Sequence, residues 1–241
     1  MGDHRGRPNW HITKSDRERQ MKAMIFDADG TLLDSMGLWR QIDRAFLKSH
    51  HYPYSERISE QVETMSLQQS AGYFQRLLRD REMLSEQQII AELNGLCAGA
   101  YETEIQAMPS VPDFLEAAYQ AGYRMCVATA SQKEQISRAL SRLGLLDYFS
   151  FVMDADEAGA AKTDPKIFLA CADRLGSRPE ETWVFEDAPH AAQTAASAGF
   201  LVIGVHAPGG KKQEELLKKC CFHFVPSFEM LIDQGKNLKL Y

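Results

Sequence analysis

Several absences narrow the reading of this chain before any motif is considered. No window holds the ~18 consecutive apolar residues that a membrane-spanning helix needs, so no membrane partner is expected. The N-terminal stretch lacks the apolar segment of a secretory signal, and the expected compartment is the cytoplasm. A surplus of positive charge is missing too: 27 Lys and Arg face 33 Asp and Glu, a formal net charge of -6 at pH 7. Nucleic-acid phosphates need a basic face, so that class of partner is set aside. A small phosphorylated ligand, which needs only a local positive site, is not. Cysteine is scarce and odd in number. Cys97, Cys126, Cys171, Cys220 and Cys221 form no CxxC pair, and free, mostly buried thiols are expected rather than a disulfide framework. What is present is ordinary for a globular protein: 241 residues, 44% hydrophobic and 25% charged, enough for a sizeable core with a smaller insert.

One stretch organises the rest. Residues 23–35 form a short apolar run that ends abruptly in Asp27 and Asp29, then Gly30. Physically this is a buried strand opening into a polar, tightly turning loop, the position where open α/β sheets bind ligands. Asp is a poor strand residue, which points to chemistry at Asp27 and Asp29 rather than to the fold. The stretch alone also admits a structural ion, an ordinary Asp-Gly turn, and Asp34 and Ser35 as a helix cap.

Residues 1–20 are polar, without apolar periodicity, and read as a flexible arm. From 36 to 107 only helical patterns occur, over Leu38–Phe46, Ile58–Val62, Leu67–Leu78 and Ile89–Ile105, which predicts an all-helical second, smaller domain. His50 and His51, beside a Tyr-Pro break, read as surface residues. Pro109 and Pro112 mark the return to the first domain. Thereafter helix and strand alternate, with helices near 113–121, 132–143, 165–175 and 188–198. Gly122, Gly144, Gly176 and Gly199 close them. Strands are predicted at 123–128, 151–153, 182–185 and 201–205, with a weak edge strand at 222–225 and a last helix from Ser227. The fold class is therefore α/β, a Rossmann-like, doubly wound parallel sheet covered on both faces. Its pieces are 21–35 and 108–241.

The strand ends carry the chemistry. The first ends in Asp27 and Asp29, the second in Thr129, Ala130 and Ser131, and the fourth in Glu186 and Asp187. Lys162 follows the third. Ordered this way, the set resembles the four signature motifs of the haloacid dehalogenase-like hydrolase superfamily. Asp27-Ala28-Asp29-Gly30-Thr31-Leu32 is similar to its DxDGT motif. Thr129 resembles motif two, Lys162 motif three, and Glu186-Asp187 the acidic motif four. The helical segment resembles the superfamily's C1 cap. Motif three often reads Lys-Pro-x-Pro, whereas Thr163 stands here for the first Pro, a change to loop stiffness that leaves the charge in place.

The resemblance implies a Mg²⁺-dependent phosphatase acting on a small phosphorylated metabolite through an aspartyl-phosphate. Asp27 would be the nucleophile and Asp29 the acid/base. Lys162 and Thr129 would join them in catalysis, with Thr129, Ala130 and Lys162 binding phosphate. Asp27, Asp29 (through its carbonyl), Asp187 and Glu186 would hold the metal, Glu186 directly or through water. Ser131 would touch phosphate or cap the following helix. Asp29 argues against dehalogenation, which does without a second Asp. A β-phosphoglucomutase-like mutase is the alternative, but residues near Trp39 and Leu67 stand where that activity implies a His and an Arg. The helical segment has one lysine, Lys48, which reads as solvated rather than as a Schiff-base residue. A non-catalytic phosphate-ligand binding protein would predict loss of these groups. Residues 65–69 are the candidate substrate loop, or Ser66 is a plain helix N-cap. With no Lys or Arg there, a neutral or hydroxylated leaving group is expected rather than one with a second phosphate. A monomer or weak homodimer is expected.

Overall fold

The computed structural model describes residues 23–62, 65, 67–205 and 210–240. The predicted arm at 1–20 lies outside these residues, as does Ser66. Six strands form one sheet: β1 Ala23–Phe26, β2 Arg124–Thr129, β3 Phe149–Asp154, β4 Thr182–Glu186, β5 Leu201–Val205 and β6 His223–Val225, in the order β3-β2-β1-β4-β5-β6. Every pairing is parallel.

Side chains alternate across a strand, and the two faces of β1 show it. Met24 and Phe26 enter one apolar cluster, with Met125, Val127, Phe185 and Phe114. Ala23 and Ile25 enter another, with Cys126, Val184, Phe168 and Ala192. The first face is covered by α5 (Val111–Gln120) and α6 (Lys133–Arg142). The second is covered by α8 (Lys166–Leu175), α9 (Pro189–Ser197) and Leu217 of α10 (Lys211–Cys220). Phe26 stacks on Phe185 with ring centroids 4.6 Å apart and meets Phe114 and Phe149 edge-on.

Four helices fill the predicted insert: α1 Met36–Ser49, α2 Glu56–Val62, α3 Leu67–Leu78 and α4 Glu86–Thr103. Helix α4 begins with a capping box, in which Ser85 and Gln88 satisfy each other's backbone N–H groups. The chain leaves and re-enters the sheet through two adjacent segments. Leu33 bridges Ala107 antiparallel, Asp34 N donates to Gln106 O at 2.9 Å, and Met108 N donates to Leu32 O at 2.8 Å. Helix α4 leans on α6: Gln135 Nε2 donates to Asn94 O at 3.3 Å, Arg138 pairs with Glu102, and Arg142 reaches Ile105 O.

Three expectations are corrected. His50 is not a surface residue: it is 8% exposed, with Nδ1 2.8 Å from Glu82 and Nε2 2.7 Å from Glu92. Helix α10 has no counterpart in the sequence reading, because its ten residues carry one fully buried apolar side chain, Leu217, amid charge. The last helix is a single 3₁₀ turn, Phe228–Leu231. The short helix α7, Ala155–Ala158, is also new. All five cysteines are free, with Cys97, Cys126 and Cys171 buried.

Candidate active site

The sheet order reverses beside β1, so a crevice opens at the carboxyl ends of β1, β2 and β4. Asp27 extends β1 by one residue, its N–H donating to Phe185 O at 2.9 Å. Gly30 follows at φ +85°, a left-handed conformation that favours glycine, and turns the chain so that Gly30 N reaches Leu33 O at 2.9 Å.

Around Asp27 three carboxylates meet one ammonium. Lys162, 6% exposed, donates to Asp27 Oδ1 and, at 2.5 Å, to Glu186 Oε1. Asp27, Glu186 and Asp187 each offer an oxygen, and these lie within 4.8 Å of one another. Burial pushes the Asp27 carboxyl up to about 7 against the pull of the Lys162 charge. Burial also holds Asp187 well above the usual carboxylate range, with the charges of Asp27 and Glu186 adding to it. Burial alone would lower the Lys162 ammonium, but Asp27 and Glu186 outweigh it and keep the group charged.

The residues fit a divalent cation. Asp27 Oδ2 is buried and has no hydrogen-bond partner among the described residues, and a buried carboxylate oxygen left so is costly. Three carboxylates against one ammonium leave an excess of negative charge that a hard, oxygen-binding dication would cancel.

Asp29 is held apart from this group. Its Oδ1 accepts from Ser35 Oγ and Tyr101 OH, and its Oδ2 from Ser131 Oγ, all at 2.6 Å. Ser35 therefore does not cap α1 with its side chain, contrary to expectation. Nor does Ser131 cap α6, whose N-cap residue is Gln132. Both hydroxyls serve Asp29 instead. Thr129 is buried, its Oγ1 accepting from Ser131 N at 3.0 Å, so it orders the 129–131 turn. Ala130 is exposed on the crevice.

A cavity of about 370 Å³ lies between this rim and the four insert helices. Asp27, Asp29, Ala130, Ser131, Lys162, Glu186 and Asp187 face it from the sheet side. Met65, Leu67 and Gln68 of the predicted substrate loop line it, as does Trp39, but residues 67–69 are the first turn of α3 rather than a loop. The structure thus brings together every sequence-predicted site residue except that Thr129 stands behind the wall. The sequence reading missed Tyr101, Arg40, Asp43, Ser59 and Asn94. Tyr101 had no signal, being one aromatic among the apolar positions of a helix. Asp43 had none either, standing between Ile42 and Arg44 as an ordinary charged position of a helix would.

A family model described as haloacid dehalogenase-like hydrolase matches residues 21–199. The chain is 26% identical over 193 residues to the phosphorylated carbohydrates phosphatase of Thermotoga maritima, covering 75% of this chain and 82% of that one. It is 29% identical over 187 residues to the fructose-1-phosphate phosphatase YqaB of Escherichia coli, covering 76% and 95%. Among solved structures, a β-phosphoglucomutase from Clostridium difficile superposes with a TM-score of 0.74 over 90% of this chain and 97% of that one. At 22% identity it shows the fold alone.

Proposed function

Because the chain belongs to the haloacid dehalogenase-like hydrolase family, we propose that it is a phosphatase of small phosphorylated sugars working through an aspartyl-phosphate. One observation carries this reading: the buried Asp27 carboxylate, held on one oxygen by Lys162, faces a cavity on whose rim a second carboxylate, Asp29, waits. The substrate class comes from the relatives, which are named for phosphorylated carbohydrates and fructose 1-phosphate.

In this mechanism an Asp27 oxygen attacks phosphorus. The bond from phosphorus to the leaving oxygen breaks as that oxygen takes a proton from Asp29. Water then attacks the phosphoryl group and gives its proton to Asp29, and the bond to Asp27 breaks, releasing phosphate. Lys162 offsets negative charge on nucleophile and phosphoryl group. Ala130, exposed on the cavity, offers its backbone N–H to a phosphoryl oxygen, with Thr129 ordering the turn. A Mg²⁺ ion held by Asp27, Asp187, Glu186 and the Asp29 carbonyl would supply the remaining counter-charge. Residues 36–107 act as a cap over the core of 21–35 and 108–241, excluding bulk water from the cavity.

A β-phosphoglucomutase-like mutase is implied by resemblance to carry a histidine and an arginine near Trp39 and Leu67. Among the described residues of 36–107 that line the cavity there is no histidine. Purified protein should hydrolyse p-nitrophenyl phosphate with Mg²⁺ and lose turnover on Asp27→Asn. Metal-independent turnover, or an active Asp27→Asn variant, would overturn the reading.

A further inference from the structure

The cap-side wall of the cavity holds a buried carboxylate that the hydrolytic steps do not use. Asp43 of α1 is 6% exposed and lines the cavity, as does Ser59 of α2, at 1%. Ser59 Oγ donates to Asp43 Oδ2 at 2.8 Å. A tie between two helices could be made from two neutral groups, without the desolvation that a carboxylate suffers. A carboxylate fixed in a cavity wall is, however, what an acceptor of substrate hydroxyls requires, and the Ser59 hydroxyl sets its orientation before any ligand arrives.

We propose that Asp43 and Ser59 are specificity-determining residues that read the hydroxyls of the leaving alcohol. The assignment rests on the phosphatase reading and sharpens it. Neutral hydrogen-bonding groups flank the pair on the same cavity, Gln68 from α3 and Asn94 from α4, while Trp39 and Phe74 offer apolar faces to ring or chain carbons. This is the chemistry of a polyol: donors and acceptors set among apolar surface. Arg40 is the cap-side cation on this cavity among the described residues. It is exposed, whereas Asp43 is buried in the wall.

The test is kcat/KM for glucitol 6-phosphate, hexyl phosphate, a hexose bisphosphate and p-nitrophenyl phosphate. It is run on the full chain with Mg²⁺ and on Asp43→Asn and Ser59→Ala. Wild type should prefer glucitol 6-phosphate to hexyl phosphate by roughly 100-fold, since a site built to bind hydroxyls rejects analogues lacking them. Each variant should cut that ratio by about tenfold, mainly through KM, because each removes a contact made to bound substrate rather than to the reacting atoms. No preference in wild type, a preference for the bisphosphate, or an unchanged ratio in both variants would overturn the assignment. If the variants fail to fold, the wild-type panel decides alone. If no monoester is hydrolysed, the phosphatase reading falls. Calorimetric titration of glucitol 6-phosphate against hexyl phosphate then decides this one: equal affinities overturn it and a large preference for the polyol supports it.

Discussion

The phenol of Tyr101 donates to Asp29 Oδ1 at 2.6 Å, joining the last turn of α4 to the loop after β1. With Ser35 and Ser131 also donating, the carboxylate receives three hydroxyl hydrogen bonds. The side chain proposed to pass a proton both ways is thus fixed in direction by three partners from three separate segments. Tyr101→Phe removes one of them and leaves the ring packing in place. The expected result is a fall in kcat of about tenfold, equivalent to about 1.4 kcal/mol of barrier, with KM little changed. Steady-state kinetics on p-nitrophenyl phosphate checks it.

Asp27 makes metal binding and pH inseparable. Its carboxyl is pushed from an ordinary value of 3.8 up to about 7, so it favours the folded state at low pH and loses that contribution as pH rises through about 7. A dication binds the ionised form. The gain in Tm on adding Mg²⁺ to EDTA-treated protein should therefore be larger at pH 8 than at pH 6. Asp27→Asn should raise the Tm of the metal-free protein at pH 8 while abolishing turnover, a direct exchange of stability for function. Differential scanning calorimetry at the two pH values reads both effects.

Lys162→Met leaves three buried carboxylates without their ammonium. Removing one partner of a buried charge set costs roughly 3–5 kcal/mol, so this variant should melt well below wild type in EDTA. Mg²⁺ should restore much of that stability. Turnover should still fall roughly 10²–10³-fold, because the cation beside the attacking oxygen and the phosphoryl group is gone. Thermal melts with and without Mg²⁺, alongside kinetics, separate the two losses.

His50 is a charged clasp inside the helical insert. Carboxylates only accept hydrogen bonds, so contacts from Nδ1 to Glu82 and from Nε2 to Glu92 require both ring nitrogens to be protonated. Burial alone would lower the imidazolium, yet the hydrogen bonds it donates to Glu92 and Glu82 outweigh it and raise the group above 6.5. The clasp is complete below that ordinary value and weakens as pH rises through the elevated one. His50→Gln should cost about 1–3 kcal/mol at pH 6 and less at pH 9, a difference that urea melts at the two pH values will show.

The parallel sheet is legible in the sequence because each main strand is a short apolar run closed by a polar residue, as Ile25-Phe26-Asp27 and Val184-Phe185-Glu186 are. Helix ends are legible where glycine closes them, as at Gly176, which sits at φ +65°. The carboxylates and Lys162 stand out because their types and order have no structural purpose on strand ends. Helix α10 is not legible, since one buried leucine in ten residues makes no periodic signal. The partners of Asp29 are hidden for another reason. Tyr101 sits 72 positions away on a helix whose pattern reads as plain core, and no local rule marks which aromatic turns its hydroxyl to a distant loop. His50 misleads because its Glu partners lie 32 and 42 positions along the chain.

The place of β1 in the sheet order bears on how the molecule is assembled. Ala23 pairs with Arg124 on one side and with Thr182 on the other, so β1, the first of the described strands, waits for neighbours that come much later in the sequence. Closing such long loops is slow, and until then the apolar stretch Ala23–Phe26 has no sheet to enter. The nascent chain therefore carries an unpaired, aggregation-prone segment until β2 and β4 have been made. Truncation before β4 leaves that central strand one-sided and Asp27 without Glu186, Asp187 and the Phe185 carbonyl. Folding of the core and assembly of its reacting groups are thus a single late event.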